Sequence, residues 1–171
     1  MNKERNQRKF TIALLVVYTA VLTWIILFKM SVSISAIPKL RGINLIPYAA
    51  SVIVNDSLDF REIIYNAIAF VPLGIYISMI KPEWSFVKKA LPILLLSLGY
   101  EIIQYIFALG ATDITDLINN TVGGVVGIAG YQLTVKISKD RFKTNKVINV
   151  VATLCTIVLL ALMLILIIAN I

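Results

Sequence analysis

The stretch FTIALLVVYTAVLTWIILF, residues 10–28, carries no charge and is bounded by Lys9 and Lys29. At 1.5 Å per residue, about 20 apolar residues are what a helix needs to cross the hydrocarbon core of a bilayer. Four more such segments follow. Residues 62–80 contain Asn66, Pro72 and Gly74, 89–109 contain Glu101 and Gln104, 116–135 are glycine-rich, and 147–169 are almost wholly Val, Leu and Ile. A 59% apolar and 15% charged composition with mean hydropathy +0.89 agrees with an integral membrane protein. The expectation is an all-α fold of about five transmembrane helices in one domain, residues 1–171.

The N-terminus also admits a signal-peptide reading, because the basic MNKERNQRKF precedes the apolar run and SVSISA follows it. Signal-peptide cores span about 7–15 residues, shorter than this run, so the segment reads as an uncleaved anchor. Lys and Arg near span ends set orientation. With the N-terminus in the cytoplasm, 12 of the 16 basic residues fall inside and the C-terminus lies outside. The net charge of +7 is then a topology signal with affinity for anionic head groups. The basic residues are spread over separate loops, which argues against nucleic acid as a partner.

Cys155 is a lone cysteine expected to pack as a small hydrophobe in the last span. The absence of His removes His-based acid/base chemistry and His zinc sites.

In this orientation the intramembrane polar residues share one half of the bilayer. Asn66 lies about one turn below the outer surface and Glu101 about 12 Å from the outer end of its span, while Asp113, Asp116 and Asn120 open the fourth. At 100° per residue, Asp113, Asp116, Asn120, Gly123, Gly124, Gly127 and Gly130 fall within an arc of about 120°. Ser97, Tyr100, Glu101 and Gln104 likewise occupy about 100° of the third span. A charge near the bilayer centre costs about 2.5–3.5 kcal/mol on insertion scales, so Glu101 is expected to face protein or water. Gly123 and Gly127 form a G-x-x-x-G pair that lets a second helix approach closely.

Four strings along the chain, NLIPY (44–48), NAIAFVPLG (66–74), SLGYEIIQ (97–104) and TDITDLINNTVGG (112–124), resemble the VanZ-like family of bacterial membrane proteins. The resemblance covers about residues 39–130 and leaves an additional helix at 147–169. It carries over to Asn66, Phe70, Pro72, Gly74, Glu101, Gln104, Asp113, Asp116, Asn120, Gly123 and Gly124, with Arg41 just ahead of the first string. Many members have Arg before the first Asp, where this chain has Thr112, so Arg41 or Arg61 is expected to offset the acids. The resemblance implies the bacterial cytoplasmic membrane and an accessory part in resistance to the glycopeptide teicoplanin.

Bland readings stand beside each feature. Asp113 or Asp116 can be a helix cap, Glu101 and Gln104 can be interhelical glue, and FVPLG can be a kink that frees a carbonyl. Glu101, Asp113, Asp116 and Asn120 could hold a divalent cation through oxygen, although spacing alone does not establish one; no cofactor is otherwise expected. The favoured function is a non-catalytic or lipid-handling envelope protein. Its outward pocket, made of Asn66, Glu101, Gln104, Asp113, Asp116, Asn120 and Arg41, meets membrane lipid, a lipid-linked cell-wall precursor or a glycopeptide-related ligand. Pro72, Gly74, Gly123, Gly124 and Gly127 serve helix packing. The alternative is an intramembrane enzyme using Glu101 with Asp113 or Asp116 as acid and base on a lipid-linked intermediate.

Overall fold

A computed structural model describes residues 2–28, 40–48, 53–54, 57–58 and 60–169. Five helices carry the chain: α1 (Asn2–Phe28), α2 (Arg61–Ile80), α3 (Phe86–Phe107), α4 (Ile114–Ser138) and α5 (Arg141–Ala169). Four of the expected spans lie inside one helix each, while the third, 89–109, overruns α3 by two residues, Ala108 closing the helix and Leu109 opening a strand; α1 and α5 extend further at their basic N-terminal ends. Four helices, α1, α2, α3 and α5, are long and apolar enough to cross a membrane. The fourth in chain order, α4, has the length, but its polar start and glycines lower its hydropathy, and it packs chiefly against α2 and α3.

Helix ends follow local chemistry. Ser85 caps α3, its hydroxyl accepting from the Lys88 N–H at 3.4 Å, and Asp113 caps α4. Ala108 (φ 54°) and Lys139 (φ 56°) close α3 and α4 in the left-handed conformation.

The all-α expectation needs correcting at the loops. Short strands β1 (Leu40–Asn44), β2 (Ile53–Val54), β3 (Ser57–Leu58) and β4 (Leu109–Asp113) make two small ribbons. The parallel β1–β4 ribbon pairs Leu40 with Leu109 and Asn44 with Asp113, tying the segment before α2 to the α3–α4 connection. Strands this short carry little side-chain periodicity; the pairing is made by backbone groups far apart in the chain.

The glycines explain how α2 and α4 come together. A Cβ on Gly123 would stand 1.9 Å from the Ala67 carbonyl oxygen, and one on Gly127 2.0 Å from that of Val71. A Cβ on Gly74 would in turn stand 1.9 Å from the Gly124 carbonyl oxygen. The two helices run parallel with their backbones in contact, the arrangement small residues permit where lipid gives no hydrophobic drive to association. Gly124 also faces Ile93 of α3, whereas Gly130 borders open space and drops out of the packing stripe. Phe70, Leu73, Ile93, Tyr100 and Ile128 fill the core, with Phe70 edge-on to Tyr100 at 6.3 Å.

Pro72 lies inside α2 as expected, and the Tyr18 hydroxyl donates to the Ala69 carbonyl just before it. Helix α5 touches the bundle mainly through its first half, where Thr144 and Asn149 are buried. Cys155 is exposed, on the face of α5 that looks across an open cleft of about 340 Å³ toward Tyr18, Pro72 and Tyr76, contrary to the expected packed position. Beyond Asn149 no described residue of α5 is buried.

Candidate functional site

The site forms at the end of the bundle that holds the β1–β4 ribbon, where α1 and α3 finish and α2 and α4 begin. In β4 the Asp113 N–H donates to Glu101 Oε2 at 2.9 Å, and the Thr112 hydroxyl donates to the Glu101 carbonyl at 3.0 Å. The Asp113 carboxylate accepts from the Thr115 N–H at 2.7 Å through Oδ1 and from Asn44 Nδ2 at 3.0 Å through Oδ2. It thus caps α4 and clamps β1 together, which makes the capping reading of Asp113 correct and incomplete.

Asp116, in the first turn of α4, accepts from Asn66 Nδ2 of α2 at 2.7 Å. On the α3 side, Asn120 Nδ2 donates to Ser97 Oγ at 3.0 Å, and Gln104 Nε2 donates to the Ile26 carbonyl of α1 at 3.1 Å. Ser97, Glu101, Gln104 and Asn120 are all buried. Six expected residues, Asn66, Glu101, Gln104, Asp113, Asp116 and Asn120, therefore occupy one end of the bundle, each bonded to a neighbouring element.

Arg41 does not join them. Strand alternation puts its side chain on the ribbon face opposite Asn44. Its guanidinium lies 5.6 Å from the Tyr105 ring centroid and donates to the Ile106 carbonyl at 3.2 Å. A cation at the carbonyl end of α3 suits the helix dipole. Arg61 opens α2 at the same end. Thr112 fills the position of the missing Arg with a neutral hydroxyl bonded to backbone.

Three further residues escape the sequence reading. The Tyr48 N–H donates to Thr115 Oγ1 at 3.0 Å and its hydroxyl to Asn119 Oδ1 at 3.4 Å. Tyr48 has φ 62°, a left-handed conformation that is costly for a bulky residue and marks a built turn. Tyr48 lies in the quoted NLIPY string and Asn119 sits beside Asn120, so both were in view; what was missing was the fold of the loop.

The polar groups are not all satisfied. Gln104 Oε1, Asn119 Nδ2 and Asn120 Oδ1 are buried without a hydrogen-bond partner. A buried polar atom left so costs about 1–3 kcal/mol, and native structures keep few. Among the described residues no group of three or more His, Cys, Asp or Glu side chains gathers closely enough to hold a metal ion.

A profile of the VanZ/LLP1 family matches residues 15–137. The chain belongs to this family. It is also 41% identical over 149 residues to Protein VanZ of Enterococcus faecium, a match spanning 86% of this chain and 88% of the relative. No solved structure matches the chain. The family match runs from within α1 to the end of α4 and encloses the whole polar cluster, while α5 lies beyond it.

Proposed function

We propose that this VanZ-family protein is a non-catalytic membrane protein of the bacterial cell envelope that holds the polar head of an envelope lipid or cell-wall precursor in its acid and amide cluster. In this reading α4 crosses the bilayer with the other four helices, the basic loops face the cytoplasm, and the ribbon end faces outward, where glycopeptides act. Contribution to teicoplanin resistance follows from shielding or sequestering the lipid-linked target. The observation that carries the reading is the set of unmet amide atoms on Gln104, Asn119 and Asn120 beside the buried Glu101. A ligand bearing amides or hydroxyls would satisfy all three, and an ammonium group the two oxygens.

Holding is favoured over chemistry because Glu101, Asp113 and Asp116 each have a carboxylate oxygen engaged by a neighbouring N–H group. These bonds hold the carboxylates in place as parts of the scaffold.

The test uses cells expressing Gln104→Ala, Asn120→Ala or wild-type protein at equal membrane abundance, with teicoplanin susceptibility as the readout. Both variants are expected to lose protection. Protection equal to wild type would show the cluster to be purely structural. Purified protein incubated with lipid-linked cell-wall intermediates is expected to return them chemically unchanged; conversion abolished by Glu101→Gln would replace binding with catalysis. Orientation is checked separately by cysteine labelling in a Cys155→Ser background. Position 112 is expected to label from outside and position 140 only after permeabilisation.

A further inference from the structure

At the opposite, basic end a second feature stands apart from the polar cluster. An open groove of about 560 Å³ runs between α1 and α5. Lys3, Gln7 and Phe10 line one side and Lys146, Val150 and Leu154 the other. The order along α5 matters: Lys146 lies near the helix start, with Val150 and Leu154 one and two turns on, about 6 and 12 Å deeper along the axis. Charge sits at the mouth and apolar surface lies below it, as in an amphiphile standing in a bilayer leaflet.

The charge selects the occupant. Both ionisable residues lining the groove are lysines, and no carboxylate lines it among the described residues. An adjoining cleft of about 270 Å³ behaves differently, because Glu4 and Glu83 stand there with Arg8 and Arg141. The Gln7 side chain, donating to the Phe142 carbonyl at 3.0 Å, belongs to both walls and divides them. A second copy docked face to face would set lysines against lysines, and a zwitterionic lipid would find no acid for its ammonium group.

We propose that this groove is a site for an anionic phospholipid, with the phosphate between Lys3 and Lys146 and an acyl chain along Phe10, Val150 and Leu154. Basic pockets between membrane helices take anionic head groups by the same electrostatics. The inference rests on the bundle lying in a membrane but not on which end faces outward, nor on any ligand of the polar cluster.

The purified full chain in nonionic detergent, titrated with dioleoylphosphatidylglycerol or dioleoylphosphatidylcholine and read by native mass spectrometry, tests it. Phosphatidylglycerol should be retained at least about tenfold more tightly. The Lys3→Ala/Lys146→Ala pair should remove most of that preference, while Lys88→Ala/Lys136→Ala, equal in charge but outside the groove, should change it less than about twofold. Leu154→Trp, which fills the groove, should weaken phosphatidylglycerol binding with both lysines present. Equal losses in the two lysine pairs would reduce the effect to general surface charge and overturn the proposal. Equal retention of the two lipids would also overturn it, as would a dimer that Leu154→Trp dissociates. Neither lysine is buried, so folding of the variants is not at risk, and teicoplanin protection in cells reports the polar cluster independently.

Discussion

The two ends of this bundle both bury polar side chains, yet they settle them differently. At the basic end, Asn149 Nδ2 donates to Thr11 Oγ1 at 3.0 Å, the Thr11 hydroxyl donates to the Gln7 carbonyl at 3.0 Å, and the Tyr131 hydroxyl donates to Asn145 Oδ1 at 2.7 Å. Lys89 Nζ donates to the Pro82 carbonyl at 3.3 Å, leaving Ser78 Oγ as the exception among the described residues of that end. At the ribbon end, three amide atoms go unmet within a network that is otherwise well bonded. Satisfied polar groups fix helices in place, whereas unsatisfied ones keep a standing cost that a ligand can remove. In the proposed function, this difference is what marks the ribbon end as the place for the head-group ligand.

The largest expected effect probes what both ends share. Gly123→Leu forces a side chain into the Ala67 backbone and should destroy the α2–α4 contact, with a loss above about 3 kcal/mol. Thermal unfolding in detergent and membrane abundance would both register it. Gly130→Ala, facing open space, should instead be neutral or stabilise by up to about 1 kcal/mol. Equal damage from both would mean that the packing stripe has been misread.

Next comes the ribbon end. Glu101→Ala leaves the Asp113 N–H without its acceptor and should cost about 1–3 kcal/mol. Glu101→Gln keeps an acceptor oxygen and should recover most of that stability in the same unfolding assay. At the basic end, Asn149→Leu should cost about 1–2 kcal/mol by stripping Thr11 of its buried donor, with teicoplanin protection unchanged at matched abundance. A loss of protection there would erase the distinction between the two ends.

Smallest is the effect at Asp140, in the α4–α5 connection. The Lys143 backbone N–H, donating to Asp140 Oδ1 at 3.0 Å, holds the carboxyl below its ordinary value of 3.8, with the Lys143 side chain adding at 3.5 Å. A lowered folded-state pKa gives stability that is present above the unfolded value and is lost as pH falls through the folded one. Melting temperatures of wild type and Asp140→Asn should therefore differ slightly at neutral pH and converge in acid.

Much of this was legible in the sequence because helices declare themselves locally. Apolar runs located the helices, and the alternating orientation of the spans brought Glu101, Asp116 and Asn120 to the same end before any coordinates. The ribbon was hidden because LRGIN and LGATD carry no alternating pattern, and their partnership is made by backbone groups of residues 69 apart. The direction of Arg41 was hidden for that reason: only the strand register reveals which way it faces. The exposure of Cys155 was equally invisible, since an apolar run reads alike whether protein or lipid surrounds it.

The ribbon also orders events in time. Asn44 leaves the ribosome 69 residues ahead of Asp113, the partner that completes the clamp, a delay of roughly 3–14 s at about 5–20 residues per second. During that interval α2 and α3 can enter the membrane, but Glu101 has no Asp113 N–H to meet and α4 is not yet there to cover it. The polar cluster is thus completed last, and a chain stalled before β4 and α4 carries Glu101 without the Asp113 N–H it bonds and without the helix that packs against α3.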